Sequence, residues 1–439
     1  MKVKLRAAVA LVLCIFTLIC AGCMGARSPD EYGYALIIGI DQGKEKTFSV
    51  SMLLQRGNGG SESKEGNLCP LVSVECEDLF EAIELIESGL PFALSLSRTT
   101  AIVFGEDAAR SGKLEQLLSA SLGTLHIRYY ANLITVRGKA RDFLTGIQSE
   151  LNPNVAKLQY NFVEFSNETG YVPAITLAQF YDRAWNEAGD IVLPLGMLER
   201  QKDQASDGDK SKSSEPTQVP KTGTGKQTTK SGSESSNENP SKSPIPAPTT
   251  DLLGSADYLP GQTNREGGLD SGLLGCALFH GTKLQGFLNG PHTQLLLMAT
   301  GKFHKGRILL PDPEGRLISV LLQSKGQPRT TIILGEQPQA HISLALYASV
   351  EQPASVSDNS REELTAYFAN YLQNEMLNVF NACRDIGCDS FQLGKAAVMQ
   401  FTDTQQWEAY NWPEFYKNTQ AYFSVEILLE YNPTHSRLE

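Results

Sequence analysis

Few residues of this chain occur in patterns that carry known catalytic chemistry. The sequence contains no G-x-S-x-G, H-E-x-x-H or Walker motif, and no G-x-G-x-x-G between a strand and a helix. His280, His292 and His304 recur at intervals of twelve, which places them on no common helix face, so we expect surface or turn positions and no metal site. Asp41 follows an apolar run and is a candidate catalytic carboxylate, but aspartate at a strand end more often stabilises a turn. These residues predict a protein that is not an enzyme and has no cofactor.

The first 23 residues have the pattern of an export signal. Three basic residues come first, an uncharged apolar run extends from Ala7 to Ile19, and the small pair Ala21-Gly22 leads into Cys23. The run is too short for a membrane span, which takes about 20 apolar residues. Cysteine after Ala-Gly resembles a bacterial lipobox, whose cysteine is lipidated and becomes the mature N-terminus. We predict a lipoprotein signal peptide over 1–22 and a lipid on Cys23, with an ordinary secretory signal cut nearby as the alternative.

The composition favours a globular body held outside a membrane. Hydrophobic residues make up 41% of the 439 residues, which is enough for buried cores, and the length predicts two or three domains. The net charge is −11, and it becomes −14 once the three basic residues of the signal are removed. This acidity argues against nucleic acid and against electrostatic binding to an anionic surface. Attachment to the membrane must then come from the lipid and from protein partners.

Five cysteines remain after the signal and the candidate lipidation site are set aside. Cys69 and Cys76 are close in sequence, as are Cys383 and Cys388, whereas Cys276 has no near neighbour. An exported protein can form disulfides. A C-x₄-C without a matching histidine or second pair is a weak zinc pattern. We therefore expect isolated structural thiols or a local disulfide.

Hydrophobic patterning before residue 200 predicts strands that alternate with helices. An apolar run at 34–40 and an alternating run at 48–54 predict a hairpin, and helical spacing follows from Leu79 to Leu90. The further predicted elements are strands at 99–104, 129–136 and 190–195 and helices at 106–119, 139–147 and 174–187.

The composition changes between Gln201 and Thr250. This stretch is rich in Ser, Lys, Thr, Gly and Pro and has no aromatic residue, so it cannot bury enough surface to offset the cost of ordering. After it, a long amphipathic helix is predicted from Arg361, and the helix should lie across one face of a mixed sheet. The other elements predicted in this half are strands at 273–279, 283–288, 307–310, 317–323, 330–334, 340–350 and 421–430 and a helix at 293–303.

Together these patterns predict a multi-domain α+β protein with mixed β-sheets packed against helices and a long disordered insert. An N-terminal α/β region is predicted over 23–200, as one or two subdomains. A disordered Ser/Lys/Pro-rich linker is predicted over 201–255, and a C-terminal α+β domain over 256–439.

Several short motifs occur in an order that is typical of one protein family. The segment Gly275–Gly290 contains a G-x-A-x-F strand and a K-L-x-G-x-L strand, and the helix after it ends in Gly301-Lys302. The other matching motifs are Gly39-Ile40-Asp41, the apolar strand from Arg98 to Gly105, Gly138-Lys139-Ala140, the D-x-F-x-x-G from Asp389 to Gly394, and the closing segment from Trp412 to Tyr431. In this order the motifs resemble the Ger(x)C family, the C subunits of spore germinant receptors.

The resemblance implies a lipid-anchored, non-enzymatic subunit of a germinant receptor that is required for the germination response to small nutrients. It implies A- and B-type membrane subunits as partners. It also implies a position on the extracytoplasmic face of the inner spore membrane. A solute-binding lipoprotein of a transporter is the alternative function, and an extracytoplasmic hydrolase is a weaker one.

Two surfaces are candidate partner contacts. Asn289 and Gly290 lie in a predicted turn, and Trp412 lies in a cluster of aromatic residues near the C-terminus. In both regions, residues of a predicted exposed turn lie next to apolar residues in the sequence, and small interfaces are usually built in this way. For the aromatic cluster, packing in the core or at an edge is the alternative.

Overall fold

The structure of the chain is a computed structural model. It describes residues 31–56, 70–119, 125–147, 158–184, 188–198, 260, 271–312, 314–350 and 358–430. The predicted signal peptide, Cys23, Cys69 and the predicted linker over 201–255 lie outside the described residues.

Nine described strands form the first sheet. In chain order they are β1 Tyr32–Gln42, β2 Phe48–Arg56, β3 Leu71–Cys76, β4 Ala93–Ser95, β5 Ala101–Gly105, β6 Asn132–Val136, β7 Ile191–Leu198, β8 Ser271–His280 and β9 Lys283–Leu288. Their spatial order is β3-β2-β1-β5-β6-β7-β8-β9, and β4 also pairs with β1. The central strands β1, β5, β6 and β7 are parallel, and antiparallel strands extend the sheet on both sides.

Helices on both faces of this sheet bury its central strands. The helices described in this half are α1 Leu79–Glu87, α2 Glu106–Arg110, α3 Leu114–Ser119, α4 Ala140–Ile147, α5 Leu158–Thr169 and α6 Leu177–Ala184. Ile38 and Ile40 of β1 belong to one apolar cluster with residues of α1, α2, α3 and α6. Leu36 and Ile37 belong to a second cluster with residues of α4. Burial on both faces explains why β1 is a continuous apolar run.

The first sheet contains strands from both sides of the segment between β7 and β8. These two strands are antiparallel neighbours, and Leu198 at the end of β7 lies opposite Ser271 at the start of β8. The two ends of the segment between them are therefore held next to each other. The predicted N-terminal and C-terminal regions share this sheet, and the domain boundaries themselves stay a prediction.

A second sheet and the long helix form the rest of the described chain. The strands are β10 Lys305–Pro311, β11 Leu317–Ser324, β12 Arg329–Ile333, β13 Gln339–Val350 and β14 Gln420–Glu430. The helices are α7 Gly290–Ala299, α8 Asp358–Asp385, α9 Leu393–Val398, α10 Thr404–Tyr410 and α11 Trp412–Tyr416. Strand β13 is antiparallel to β11 and β12 and parallel to β14. Helix α8 packs against β14 and α7, so the predicted mixed α+β fold is confirmed.

Several local predictions differ from the structure. The helix predicted over 106–119 is two helices, because the chain reverses at Gly112, whose φ of +73° is a left-handed conformation that favours glycine. Strand β3 was not predicted, since the acidic residues at its end were assigned to the start of a helix. Those residues include Asp78, whose carboxylate caps α1 by accepting from Glu81 N at 2.9 Å. Strand β4 and helices α5, α9, α10 and α11 were also not predicted.

Candidate functional site

The carboxylate of Asp41 stabilises the first turn of a helix that is distant in sequence. It lies at the end of β1 and accepts hydrogen bonds from Ala140 N at 2.7 Å and Arg141 N at 3.0 Å, both at the start of α4. These donors would otherwise have no partner at a helix N-terminus. Burial raises the pKa of Asp41, and the two backbone hydrogen bonds oppose this shift. Asp41 was expected to stabilise a turn at the end of its own strand, but its carboxylate instead binds the N-terminus of α4.

Three of the sequence motifs meet around Asp41. A side chain on Gly105 would collide with the Asp41 carboxylate, so only glycine fits there. The backbone N–H of Glu106, the residue after Gly105, donates to Gly138 O at 2.9 Å. A side chain on Gly39 would approach the Ala140 side chain at 3.3 Å. The early G-I-D, the strand that ends in glycine and the G-K-A motif therefore describe one junction between β1, β5 and α4.

Residues of the Gly275–Gly290 segment, of the D-x-F-x-x-G motif and of the closing segment meet at a second junction, centred on Asp190 and Asp389. Asp190 precedes β7, and its carboxylate accepts from Asp389 N at 2.6 Å and from Gly281 N at 3.3 Å. Its backbone N–H in turn donates to Asp389 O at 3.1 Å. His280 Nδ1 lies 3.1 Å from the same carboxylate. This pairing raises the pKa of His280 through the hydrogen bond to Asp190.

Asp389 has three donors of its own. Its buried carboxylate accepts from Leu393 N at 2.9 Å, from Gly394 N at 2.7 Å and from Trp412 Nε1 at 3.0 Å. Burial raises the pKa of Asp389 to about 6, and the hydrogen bonds partly offset this effect. A side chain on Gly394 would lie 2.8 Å from Trp412 Nε1, so the D-x-F-x-x-G spacing lets the indole reach the carboxylate.

The cysteines of this region are buried, and the structure describes them as free thiols. Cys388 Sγ donates to Phe279 O at 3.0 Å, and Tyr416 Oη donates to Cys388 O at 2.9 Å. Burial raises the pKa of Cys276 to about 12 and also raises the pKa of Cys383. Thiols with raised pKa values are poor nucleophiles at neutral pH. Cys76, outside this region, is a free buried thiol as well.

The predicted contact residues have local structural roles. Asn289 is half-buried and caps α7, where its side chain accepts from His292 N at 2.9 Å. Gly290 is buried, and a side chain there would lie 2.8 Å from Leu274. Trp412 is 2% exposed and holds Asp389. The role of Asn289, Gly290 and Trp412 as partner contacts stays a prediction.

Sequence reasoning missed the Asp190–His280 pair. His280 was expected at the surface or in a turn, and its side chain is indeed half exposed. Its partner could be found only from the register of β7 and β8, in which Ile191 lies opposite Phe279, so that Asp190 and His280 are adjacent. Nothing in the single sequence specifies that these two strands pair across the long segment between them.

The described residues contain neither a cluster of metal-binding side chains nor a membrane-spanning helix. Among them, no group of three or more His, Cys, Asp or Glu side chains is placed to hold a metal ion. Within the same ranges, no helix is both long enough and apolar enough to cross a bilayer. The buried carboxylates of Asp41, Asp190 and Asp389 accept from backbone donors, and that of Asp389 also accepts from an indole, so they hold loops and helices together.

Comparison with known proteins identifies the family. A family described as spore germination protein N-terminal domain matches residues 25–196, and one described as spore germination B3/GerAC like, C-terminal, matches residues 274–431. The crystal structure of the GerBC protein is similar at 13% identity and a TM-score of 0.49, covering 89% of this chain and 96% of that chain. No curated protein sequence matches.

The two matched ranges contain every motif that meets at the two junctions. Between them they cover most of the chain and leave out the segment between β7 and β8. Both domains of a spore germination protein are thus present in their expected order, and the chain belongs to the Ger(x)C family.

Proposed function

We propose that the chain is the lipid-anchored C subunit of a spore germinant receptor and that it acts by assembly, without turnover. The observation that carries the proposal is the match of both family domains, in order, to the two halves of one chain. The partners are the A- and B-type membrane subunits of the receptor. The site of action is the extracytoplasmic face of the inner spore membrane.

The chemistry of the chain supports an assembly role. The motif residues at both junctions are engaged in hydrogen bonds that fix the fold. In the structure these residues position loops and helices, which leaves binding to the surfaces. The acidic net charge of −11 gives no electrostatic attraction to an anionic membrane, so a lipid on Cys23 supplies the attachment.

Replacement of Cys23 tests the anchor in a sporulating cell. Cys23→Ser should abolish incorporation of labelled fatty acid, release the protein from the membrane fraction and weaken the germination response. Cys14→Ser is the matched control, because Cys14 lies in the apolar run that is removed with the signal. Retention of the label and of membrane association in Cys23→Ser would contradict the anchor. Hydrolysis of peptidoglycan or peptide by the purified protein would contradict the non-enzymatic role.

A substitution at Asn289 tests the predicted partner surface. Because Asn289 caps α7, its loss alone costs about 1 kcal/mol of stability. Asn289→Ala therefore serves as the control, since it removes the cap without adding charge. Asn289→Arg should lower the amount of the A- and B-type subunits that co-purify with the chain, whereas Asn289→Ala should not. Equal recovery of the partners with both variants would remove this turn as an interface.

A further inference from the structure

The long helix α8 ends in a turn that brings two cysteines together. Gly387 has a φ of +71°, a left-handed conformation that favours glycine and ends the helix. The backbone N–H of Cys388 donates to Cys383 O at 2.9 Å, and that of Gly387 donates to Arg384 O at 2.8 Å. These two hydrogen bonds define a Schellman motif at a helix C-terminus. Cys383 is therefore in the last turn of α8, and Cys388 directly follows the glycine that ends it.

The side chains of these two cysteines occupy positions that a Schellman motif often fills with apolar residues. The residues joined by the longer of its two hydrogen-bonded turns commonly make an apolar contact. Here both are cysteines, and both have an exposed fraction of 0%. Both also belong to the apolar cluster between α8 and the second sheet. The motif thus places two thiols in the same part of one core.

The backbone limits the separation of the two cysteines to the range that a disulfide spans. Standard bond lengths and the 2.9 Å hydrogen bond from Cys388 N to Cys383 O keep the two Cα atoms within about 6.8 Å of each other. Disulfides usually join cysteines whose Cα atoms are about 4.4–6.8 Å apart. The backbone of the turn is therefore compatible with a bond between the two sulfur atoms.

The covalent bond would replace one weak hydrogen bond. The structure describes the reduced form of the pair, in which Cys388 Sγ donates to Phe279 O at 3.0 Å. A thiol is a weak donor, so the loss of this contact costs little. The two hydrogen bonds of the Schellman motif join backbone atoms, so a change at the sulfur atoms leaves them in place.

Burial determines when such a bond can form. In the folded chain both thiols are buried, and this burial raises the pKa of Cys383 and of Cys388. Because the thiolate is the reactive form, the folded pair reacts slowly with an oxidant. Before the core closes, only four residues separate the two cysteines, and loops this short close rapidly. Oxidation therefore belongs to the folding step, and the closed core then shields the disulfide from reductants.

We propose that Cys383 and Cys388 form a disulfide while the chain folds outside the membrane. The proposal rests on the extracytoplasmic position given under the proposed function, because cytosolic thiols are kept reduced. The oxidant is a disulfide, carried by a thiol oxidoreductase or by a small molecule. The Cys383 thiolate attacks it to form a mixed disulfide, and the Cys388 thiolate then displaces the second sulfur of the oxidant. Two electrons and the two thiol protons pass to the oxidant, which leaves as two thiols.

The disulfide acts on the second junction through the sequence. Cys388 directly precedes Asp389, whose carboxylate accepts from Leu393 N, Gly394 N and Trp412 Nε1. A covalent bond at Cys388 links the start of this segment to the end of α8. The bond restricts the unfolded chain, so it should stabilise the folded junction.

Mass spectrometry of the protein isolated from spore membranes tests the bond directly. The chain is denatured in an alkylating reagent without reductant and is then digested with trypsin. Cleavage after Arg384 and after Lys395 places Cys383 and Cys388 in separate peptides. The expected product is a disulfide-linked pair of these two peptides. Alkylation of both cysteines, or a link from either of them to any other cysteine, would overturn the proposal.

Thermal unfolding with and without a phosphine reductant tests the contribution of the bond to stability. The reductant reaches the bond as the chain opens, and it should lower the melting temperature of the wild type by about 2–4 °C. The double variant Cys383→Ala/Cys388→Ala should melt at one temperature in both conditions. Each variant is compared with itself, so the cavity that alanine leaves does not affect the result.

A third cysteine supplies the matched control for this measurement. Cys76 is a buried free thiol in the apolar cluster around α1. Cys76→Ala should keep the full effect of the reductant, because it leaves the proposed bond intact. Absence of a shift in the wild type, or an equal shift in the double variant, would contradict the disulfide.

The lipid on Cys23 separates this proposal from the proposed function. Protein that carries labelled lipid on Cys23 has been exported, so reduced Cys383 and Cys388 in that protein would overturn the disulfide and leave the receptor role intact. Absence of the label would contradict the anchor, and the purified chain refolded with oxidised glutathione then decides the disulfide. A linked peptide pair after refolding supports the bond, and two alkylated peptides overturn it.

Discussion

At the scale of single residues, buried aspartates connect parts of the chain that are far apart in sequence. Asp41 and Asp389 are both buried, and each accepts two backbone N–H groups at the start of a helix. An unpaired buried carboxylate would be strongly destabilising. Each hydrogen bond to a charged group contributes about 1.5–3 kcal/mol, which is enough to retain the acid in the core. At Asp41 and Asp389, the motif residues of the family therefore make structural contacts.

The Asp190–His280 pair predicts a specific dependence of stability on pH. The hydrogen bond to Asp190 raises the pKa of His280, so this contribution is fully present below the unfolded value of about 6.5 and is lost as pH rises through the folded pKa. We expect His280→Gln to be more destabilising relative to the wild type at about pH 6.5 than at about pH 9. The measurement is urea unfolding of both proteins at each pH. A constant difference across this range would show that the pair does not act as a charged pair.

At the scale of elements, helix α8 contributes Phe380 to the apolar core that packs against the second sheet. Phe380 is fully buried, and its ring packs edge-on against Phe391, Tyr416 and Phe423. Phe380→Ala should lower the free energy of unfolding by about 3–5 kcal/mol, because it removes buried surface and leaves a cavity. Tyr367→Ala on the same helix is the control, since Tyr367 is 37% exposed. Similar losses for both variants in thermal unfolding would contradict this account of the core.

Elements with a strong hydrophobic period were predictable from the sequence. Helix α8 has a long amphipathic pattern, and β13 alternates between buried and exposed residues along most of its length. Short elements with mixed patterns were not predictable, as β3 shows. Its residues are half-buried except for Cys76, and its acidic end resembles the start of the helix that follows. The break at Gly112 coincides with the turn pair Ser111-Gly112, which interrupts an otherwise helix-forming run.

Contacts between elements were less predictable than the elements themselves. The sequence indicated the motifs that surround Asp41 and Asp389, but not that they form two junctions. Such contacts depend on strand order and register, which the hydrophobic pattern of one strand does not specify. Asp190 illustrates this, because its role follows only from the pairing of β7 with β8 and from the packing of the loop after α8.

At the scale of the whole molecule, the segment between β7 and β8 interrupts one sheet. Leu198 and Ser271 are paired, so the segment closes a loop whose ends are held by hydrogen-bonded strands. The family matches end at 196 and resume at 274, so both domain matches lie outside this segment. The length and sequence of the segment should therefore have little effect on the stability of the sheet.

Deletion of residues 206–240 tests this expectation. The entropic cost of closing a flexible loop changes by only about 0.6 kcal/mol for each doubling of its length, so removal of roughly half of the connection should be neutral or slightly stabilising. We expect the melting temperature to stay within about 3 °C of the wild-type value. A variant in which 206–240 is replaced by a Gly/Ser chain of equal length separates the effect of sequence from that of length. A large drop in melting temperature for both variants would show that this segment packs against the fold, whereas unchanged melting with a lost germination response would place a binding function in the segment itself.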